Sequence, residues 1–536
     1  ECSILGAGDE IGVTGERGGD AGGRRVAAAA ALLAASFFLS RVLGFVREAV
    51  LAYRLGVGPE TDAYYAAFQS PDILNHFLGI GALSIALIPL YTRIRTDRGE
   101  EAANRVFATV FGTLGLVALV ATSLLWWFAE PLVVFQFPAF AADQQALTVR
   151  LTRIVLPAQI FFVCGGILRA VLMAKGRFGA QAAAPLIYNV GIIAGGLFLA
   201  PAMGVDGFAW GALAGAALGP FGYALLDARG RVPLRLCVAP LDPDFLRYLL
   251  LAAPLMIGVT LLTMDEWYDK WFGGVLGAGT IGLVVYARRL MQAPVAVVGQ
   301  TAATAALPTL SKLVAEARWE ELSSMVLRTL QVAIGLGVLA GAATFALADP
   351  FVALVYLRGA FGESDARAVA DTLRVFSLAV PAWIAQTIAV RPFYARRDFW
   401  RPMLLGTAIA VLAIPLYLAL GPPFGARGLA GAGALAITAN ALATLALARR
   451  LHGAPNFAPL ASTTLRAILI SLPAAAAAFH CQPGLGGGVG PLVDLAVGGT
   501  VFALLAIAGV LLAGDAPMRE TLSEVWGSLA RRGRAA

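Results

Sequence analysis

Long apolar runs separated by short polar connections occupy nearly the whole chain. They fall at about 27–56, 61–92, 104–128, 146–174, 180–202, 206–226 and 246–271, and again at 278–311, 322–348, 366–395, 401–420, 426–449, 462–480 and 492–514. A helix needs roughly 20 apolar residues to cross the hydrocarbon core, whereas a barrel strand needs only about 10, with period-two alternation. The runs are too long for strands and do not alternate, and a helix satisfies its own backbone hydrogen bonds in lipid. The pattern predicts an all-α polytopic membrane protein with about 14 transmembrane helices.

Charge in the connections orients these spans. Arg93, Arg95 and Arg98 follow the second run, Lys175 and Arg177 the fourth, and Arg229, Arg231 and Arg235 the sixth. Lys312 and Arg318, then Arg396, Arg397 and Arg401, then Arg449 and Arg450 follow the later even-numbered runs. The connections around Gly58, Pro131, Met203, Gly277 and Gly486 are nearly free of basic residues, Arg358 and Arg427 being exceptions. Basic loops stay on the cytoplasmic side, so a multi-pass protein of the bacterial cytoplasmic (inner) membrane with both termini in the cytoplasm is expected. Residues 1–26 are Gly-rich and polar and are expected to be a disordered cytoplasmic tail, and 515–536 a basic cytoplasmic tail.

Composition narrows the function classes. Hydrophobic residues make up 59% and charged residues 14%, with a mean hydropathy of +0.77, against about 25% charged in soluble domains. The net charge of +7 is accounted for by loops facing anionic headgroups, so the bilayer is the partner and nucleic acid is not. Four widely spaced cysteines suggest inert buried thiols rather than a disulfide framework or a metal site. Three histidines with no HExxH, nucleophile elbow or phosphate loop argue against an enzyme.

The chain matches itself at an offset of 221: Arg153 falls on Arg374, Ala174 on Ala395, Lys175 on Arg396 and Phe178 on Phe399. Gly204-x-x-Gly207-x-Ala209 falls on Gly425-x-x-Gly428-x-Ala430, and Ile88 to Arg93 resembles Leu307 to Lys312 at 219. An even number of spans separates the copies, so the halves share one orientation about an axis along the membrane normal. The expected plan is a six-helix bundle over 27–227, a cytoplasmic linker over 228–245, a second six-helix bundle over 246–450, and helices 13 and 14 over 461–514. Transporters place substrate between such repeats, which favours transport over a duplication without present meaning.

Charges inside spans mark the candidate site. The first run carries Arg41, Arg47 and Glu48, and a charge at the centre of a span costs about 2.5 to 3.5 kcal/mol on insertion scales. Arg41 and Glu48, seven residues apart, lie on nearly the same helix face. Arg153, Arg288 and Arg289 raise the same question, as do Asp265, Glu266 and Asp269 in the seventh run. Two compensations are open. Internal salt bridges would set Asp265 and Asp269 against Arg288 or Arg289, and Glu266 against Lys270. A cavity would instead let Arg41, Arg47 and Arg289 hold phosphate through paired charge-assisted hydrogen bonds. The first reading suits the carboxylates, the second the arginines.

Ser40-Arg41-Val42-Leu43-Gly44-Phe45-Val46-Arg47-Glu48, followed by Gly56, Thr61-Asp62-Ala63-Tyr64 and Ala67-Phe68, resembles the N-terminal signature of the MurJ/MviN lipid II flippases. These belong to the multidrug/oligosaccharidyl-lipid/polysaccharide exporter superfamily. Tyr286-Ala287-Arg288-Arg289-Leu290-Met291 with Pro294, and Leu307-Pro308-x-Leu310-Ser311-Lys312, extend the likeness. The resemblance implies flipping of undecaprenyl-diphosphate-linked peptidoglycan precursor to the outer leaflet by alternating access. It implies substrate-binding roles for Arg41, Arg47, Asp62 and Arg289, and a groove for the polyprenyl tail formed by spans 13 and 14. Cell-wall synthesis enzymes are implied partners.

The chain also departs from the family. Asn75-His76 follows Pro71-Asp72-Ile73-Leu74 where many members carry two arginines, Ile80 replaces a frequent glutamate, and Arg288 stands where aspartate is common. Arg288 therefore joins the substrate-binding candidates, with Glu48, Asn75, His76, Arg153, Asp265 and Asp269 as cavity-lining ones. The eleventh span offers no Asp, Glu or Asn for the family's sodium site, so no cofactor is expected, and membrane potential or an ion gradient is left as the energy source. A flippase for another polyprenyl-linked oligosaccharide, or a non-transporting scaffold, are the rival readings.

Overall fold

The computed structural model describes residues 19–78, 80–257, 261–300, 309–310, 312–396, 398–453, 455–484 and 489–533. Leu307, Pro308, Ser311, Arg397, Gly486, Arg534 and residues 1–18, including Cys2, lie outside the described residues. Ten described helices are long and apolar enough to cross a membrane, and an eleventh span is formed by Glu363–Ser377 and Val380–Ala395, bent by 45°. The remaining three apolar runs are also helical. They comprise Gly19–Leu55, the pair Pro59–Ala67 and Gln69–Phe77 with the start of Ile80–Trp127, and the pair Pro243–Ile257 and Leu261–Leu276. The plan of fourteen spans is consistent with this arrangement.

Proline places the breaks. Pro71 has no N–H, and its ring excludes the carbonyl four residues earlier, that of Ala67, so the helix stops at Ala67 and restarts at Gln69. The freed Ala67 carbonyl accepts from the Thr152 hydroxyl at 3.4 Å. Pro157 divides Ala142–Val155 from Ala158–Ala174 in the first half as Pro381 does Glu363–Ser377 from Val380–Ala389 in the second. The repeat extends to the backbone: Gly204 and its counterpart Gly425 have φ, ψ of 60°, −141° and 57°, −135°, a left-handed turn that excludes a side chain.

Three apolar cores form among the described residues, and two of them bear on how the halves meet. One joins both halves at the end away from the basic loops, here called the outer end, with Leu51, Tyr65, Phe137 and Phe208 packed among the same cluster as Tyr286, Tyr356 and Phe361. The other fills the inner end of the first half, where Phe107, Leu168 and Leu172 meet Phe245, at the end of the linker, and Tyr248, both on Pro243–Ile257, the first helix of the second half. Backbones cross between halves at the outer end: the Ala360 N–H donates to the Tyr53 carbonyl at 2.9 Å, and the Tyr286 hydroxyl to the Gly56 carbonyl at 3.3 Å. A Cβ at Gly56 would lie 2.5 Å from the Ala360 carbonyl oxygen, so the approach requires glycine.

Two expectations change, for the N-terminal tail and the cysteines, and the C-terminal tail gains a helix. Residues 19–26 begin the Gly19–Leu55 helix instead of continuing a disordered tail. The C-terminal tail holds the helix Ala516–Gly533, whose Met518 packs on Gly335 and whose Glu520 pairs with Arg328. Among the described cysteines only Cys164 is buried, whereas Cys237 and Cys481 are exposed, Cys237 because its linker runs over the surface of Ile80–Trp127, donating its N–H to the Ala108 carbonyl at 3.3 Å.

Candidate functional site

Several of the candidate residues converge on a cavity of about 170 Å³ between the halves. Gly19–Leu55 brings Arg47 and Glu48, Pro59–Ala67 brings Tyr64 and Tyr65, Leu261–Leu276 brings Glu266, Asp269 and Lys270, and Thr280–Pro294 brings Arg288 and Arg289. Four cationic side chains, Arg47, Lys270, Arg288 and Arg289, share its walls with four anionic ones, Glu48, Asp72, Glu266 and Asp269. The cavity is thus close to neutral overall, and its polarity lies in how the charges are distributed.

Glu48 organises one wall. It is buried, accepts from the Tyr65 hydroxyl at 2.6 Å, pairs with Arg47 at 2.6 Å and approaches Arg289 of the second half at 3.6 Å. Arg47 also donates to the Asn189 side-chain oxygen at 3.2 Å, and Arg289 to Gln292 at 3.3 Å. Gln292 in turn donates to Glu266 at 3.3 Å. Two guanidinium groups therefore divide one close carboxylate and keep donors directed at the cavity.

The facing wall has the opposite ratio. Arg288 is enclosed by Asp265 and Asp269, and its guanidinium lies 4.8 Å from the centre of the Phe376 ring. The Tyr417 hydroxyl donates to Asp265 from the Trp400–Phe424 helix. All three charged groups are buried, and a buried ion survives only with partners of this kind. Arg288, expected as a substrate contact, is committed to carboxylates of its own half. Lys270 pairs with Asp72 of the first half at 2.7 Å and not with Glu266, because the helix rotation that buries Asp265 and Asp269 turns Lys270 toward Gln69–Phe77.

Other candidates lie elsewhere. Asp62 accepts from the N–H groups of Gly279 at 2.6 Å and Gly282 at 2.8 Å, capping the Thr280–Pro294 helix from across the interface. Its carboxylate meets unpaired donors and the positive end of that helix, a structural reason for an aspartate that needs no substrate. Arg41 is exposed, about 10 Å nearer the inner end than Glu48, and does not line the cavity, so sharing a helix face with Glu48 does not bring it there. His76 stands edge-on to Trp267 with ring centres 5.7 Å apart, and neither it nor Asn75 is among the lining side chains. Arg153 lies in a separate outer-end cavity. Tyr65, Asn189 and Gln292 escaped the sequence reading because uncharged polar residues in a span carry little energetic signal.

An apolar cavity of about 540 Å³ lies in the second half, with Val338, Ala385, Leu445 and Leu472 among its walls. Of the two C-terminal helices, Phe457–His480 lines it and Gly490–Ala513 does not, packing instead behind it through Gly509 against Ile470.

Residues 51–483 match the family model described as lipid II flippase MurJ. A probable lipid II flippase MurJ of Rhizobium tropici is 31% identical over 430 residues, 77% of this chain and 79% of the relative. The lipid II flippase MurJ of Burkholderia cenocepacia is 29% identical over 388 residues, 70% and 74% of the two chains. Among solved structures, a lipid II flippase MurJ in an inward closed conformation has a TM-score of 0.75 at 20% identity, covering 89% of this chain and 98% of that one. An inward-facing multidrug transporter of the exporter superfamily has a TM-score of 0.64 at 15% identity, covering 77% and 94%. With the match extending over most of its length, the chain belongs to the MurJ family of lipid II flippases.

Proposed function

We propose that this protein carries lipid II, the undecaprenyl-diphosphate-linked peptidoglycan precursor, from the inner to the outer leaflet of the bacterial cytoplasmic membrane by alternating access. One observation carries the reading: Arg47 of the first half and Arg289 of the second reach the same carboxylate, Glu48, inside a cavity between the halves. A diphosphate offers more charge and more acceptors than one carboxylate, so it displaces Glu48 and takes both guanidinium forks in paired hydrogen bonds. Because those forks belong to different halves, the ligand bridges the halves and favours the arrangement in which both reach it.

At about 170 Å³ the cavity holds on the order of five waters, too few for a glycan with its peptide. The headgroup therefore enters with an opening of the halves, and the packed outer end sets that opening on the side of the basic loops. The polyprenyl tail takes the apolar cavity against Phe457–His480. Asp265 is engaged by Arg288 and Tyr417, which supports drive by membrane potential rather than by sodium at that carboxylate.

Complementation tests the function: this chain should restore growth to a bacterium depleted of its own MurJ, and Arg47→Ala should not. Failure of the inserted wild-type chain to do so would overturn the proposal. For orientation, a cysteine placed near Gly58 should label from outside intact cells and one near Arg95 only after permeabilisation.

A further inference from the structure

The two halves carry the same ion pair with opposite polarity. In the second half Arg374 pairs with Asp371 at 2.9 Å and with Asp349, and Arg427 stands 3.9 Å from Asp371. The offset of 221 carries Asp371 to Arg150, Arg374 to Arg153 and Arg427 to Asp206. Arg150 and Asp206 do pair, at 3.0 Å, so the salt bridge is kept with its ends exchanged. The exchange deprives Arg153 of the carboxylate that Arg374 has three residues earlier. Ala129-Glu130-Pro131 similarly matches Ala348-Asp349-Pro350 at 219, but among the described residues no carboxylate, Glu130 included, comes within ion-pairing distance of Arg153. Its Nε reaches the Trp126 carbonyl at 3.4 Å, and its guanidinium lies over the Trp126 ring, 5.3 Å from the centre.

A cavity of about 900 Å³ opens beside this guanidinium, with Trp126, Val134 and Trp210 as apolar walls and Arg150, Arg153 and Glu130 as polar ones. Trp127, Phe128 and Phe135 are exposed around it, the composition of an interfacial aromatic belt. We propose that this cavity binds the phosphate of an anionic phospholipid of the leaflet away from the basic loops, with Arg153 as the principal contact and Arg150 as the second. Charge complementarity selects the headgroup, since one of the two arginines lacks a carboxylate partner. The volume and the tryptophan walls select a lipid over a free anion, because they leave apolar surface for glycerol and acyl carbons beside the phosphate. The site is separate from the central cavity, and only the naming of the leaflet depends on the orientation proposed above.

Native mass spectrometry of the purified full-length chain, titrated with phosphatidylglycerol or phosphatidylcholine, tests the assignment. Arg153→Gln should lose one retained phosphatidylglycerol, with its apparent Kd weakened about tenfold, and leave phosphatidylcholine unchanged. The double exchange Arg150→Asp with Asp206→Arg installs the arrangement of the second half and keeps the ion pair; it should lose the same lipid with an unchanged melting temperature. Should the double exchange fail to fold, Arg153→Gln decides alone. Equal phosphatidylglycerol retention by wild type and Arg153→Gln would overturn the proposal. So would displacement of that lipid by millimolar inorganic phosphate, which would make the cavity a site for free anions.

Discussion

Arg288 and Arg289 are neighbours in sequence, yet they belong to two differently built regions of one cavity. The Arg288 side chain is 4% exposed and is held by two aspartates of its own half, whereas Arg289 is 35% exposed and shares Glu48 with Arg47 of the other half. A rotation of about 100° along the helix separates the two environments. The ratio of cations to carboxylates, one to two against two to one, distinguishes a guanidinium that holds the fold from guanidinium groups available to a ligand. The same ratio separates Arg374 from Arg153 at the outer end.

Breaking the sealed cluster should have the largest effect. Arg288→Ala strands Asp265 and Asp269 in a buried environment, which typically costs about 3 to 5 kcal/mol. Melting in detergent should show a large drop, and an Arg288→Ala protein that melts with the wild type would remove the distinction.

On the shared wall, Arg47→Ala or Arg289→Ala leaves Glu48 with the other arginine and with Tyr65, so the melting temperature should change little. Affinity for lipid II should fall roughly 10- to 100-fold, the scale of about 1.5 to 3 kcal/mol for a lost charge-assisted contact. Early melting with affinity per folded molecule unchanged would make these arginines structural. Arg47→Lys keeps the charge without the planar fork and should fall between wild type and alanine.

Glu48→Gln sharpens the comparison from the other side. Removing the competing charge should tighten binding of the diphosphate about fivefold, near 1 kcal/mol, whereas a structural role alone predicts no tighter binding. The smallest effect is expected from Asp62→Asn, which keeps one acceptor for the Thr280–Pro294 helix but loses the charge: about 1 kcal/mol of stability, with lipid II affinity unchanged. A loss of affinity there would return Asp62 to the binding residues.

Much of this was legible in the sequence. Apolar run length identified the helices, and the offset of 221 paired Gly204 with Gly425, which adopt matching turns, whereas the paired breaks near Pro157 and Pro381 fall outside that register and came only with the structure. The cost of placing charge in a span singled out Arg47, Glu48, Asp265, Asp269, Arg288 and Arg289, all brought to one region. The same criterion also pointed to Arg41 and Arg153, which lie away from that region, because it registers that a charge needs compensation and is blind to what supplies it; Asp62, taken from the family resemblance, caps a helix instead.

The chain by itself determined its solvent, its helical class, its duplication and the residues whose charge must be compensated. These follow from composition, period and spacing, which are local or one-dimensional. Partnership was decided by the tertiary structure alone: Lys270 meets Asp72 across 198 residues, and Asp62 caps a helix that begins more than 200 residues later. Helical periodicity says which residues share a face, but not which face of which distant helix is rotated toward it. That rotation is set by packing throughout both halves, and it separates Arg288, enclosed by its own carboxylates, from Arg289, directed at the cavity.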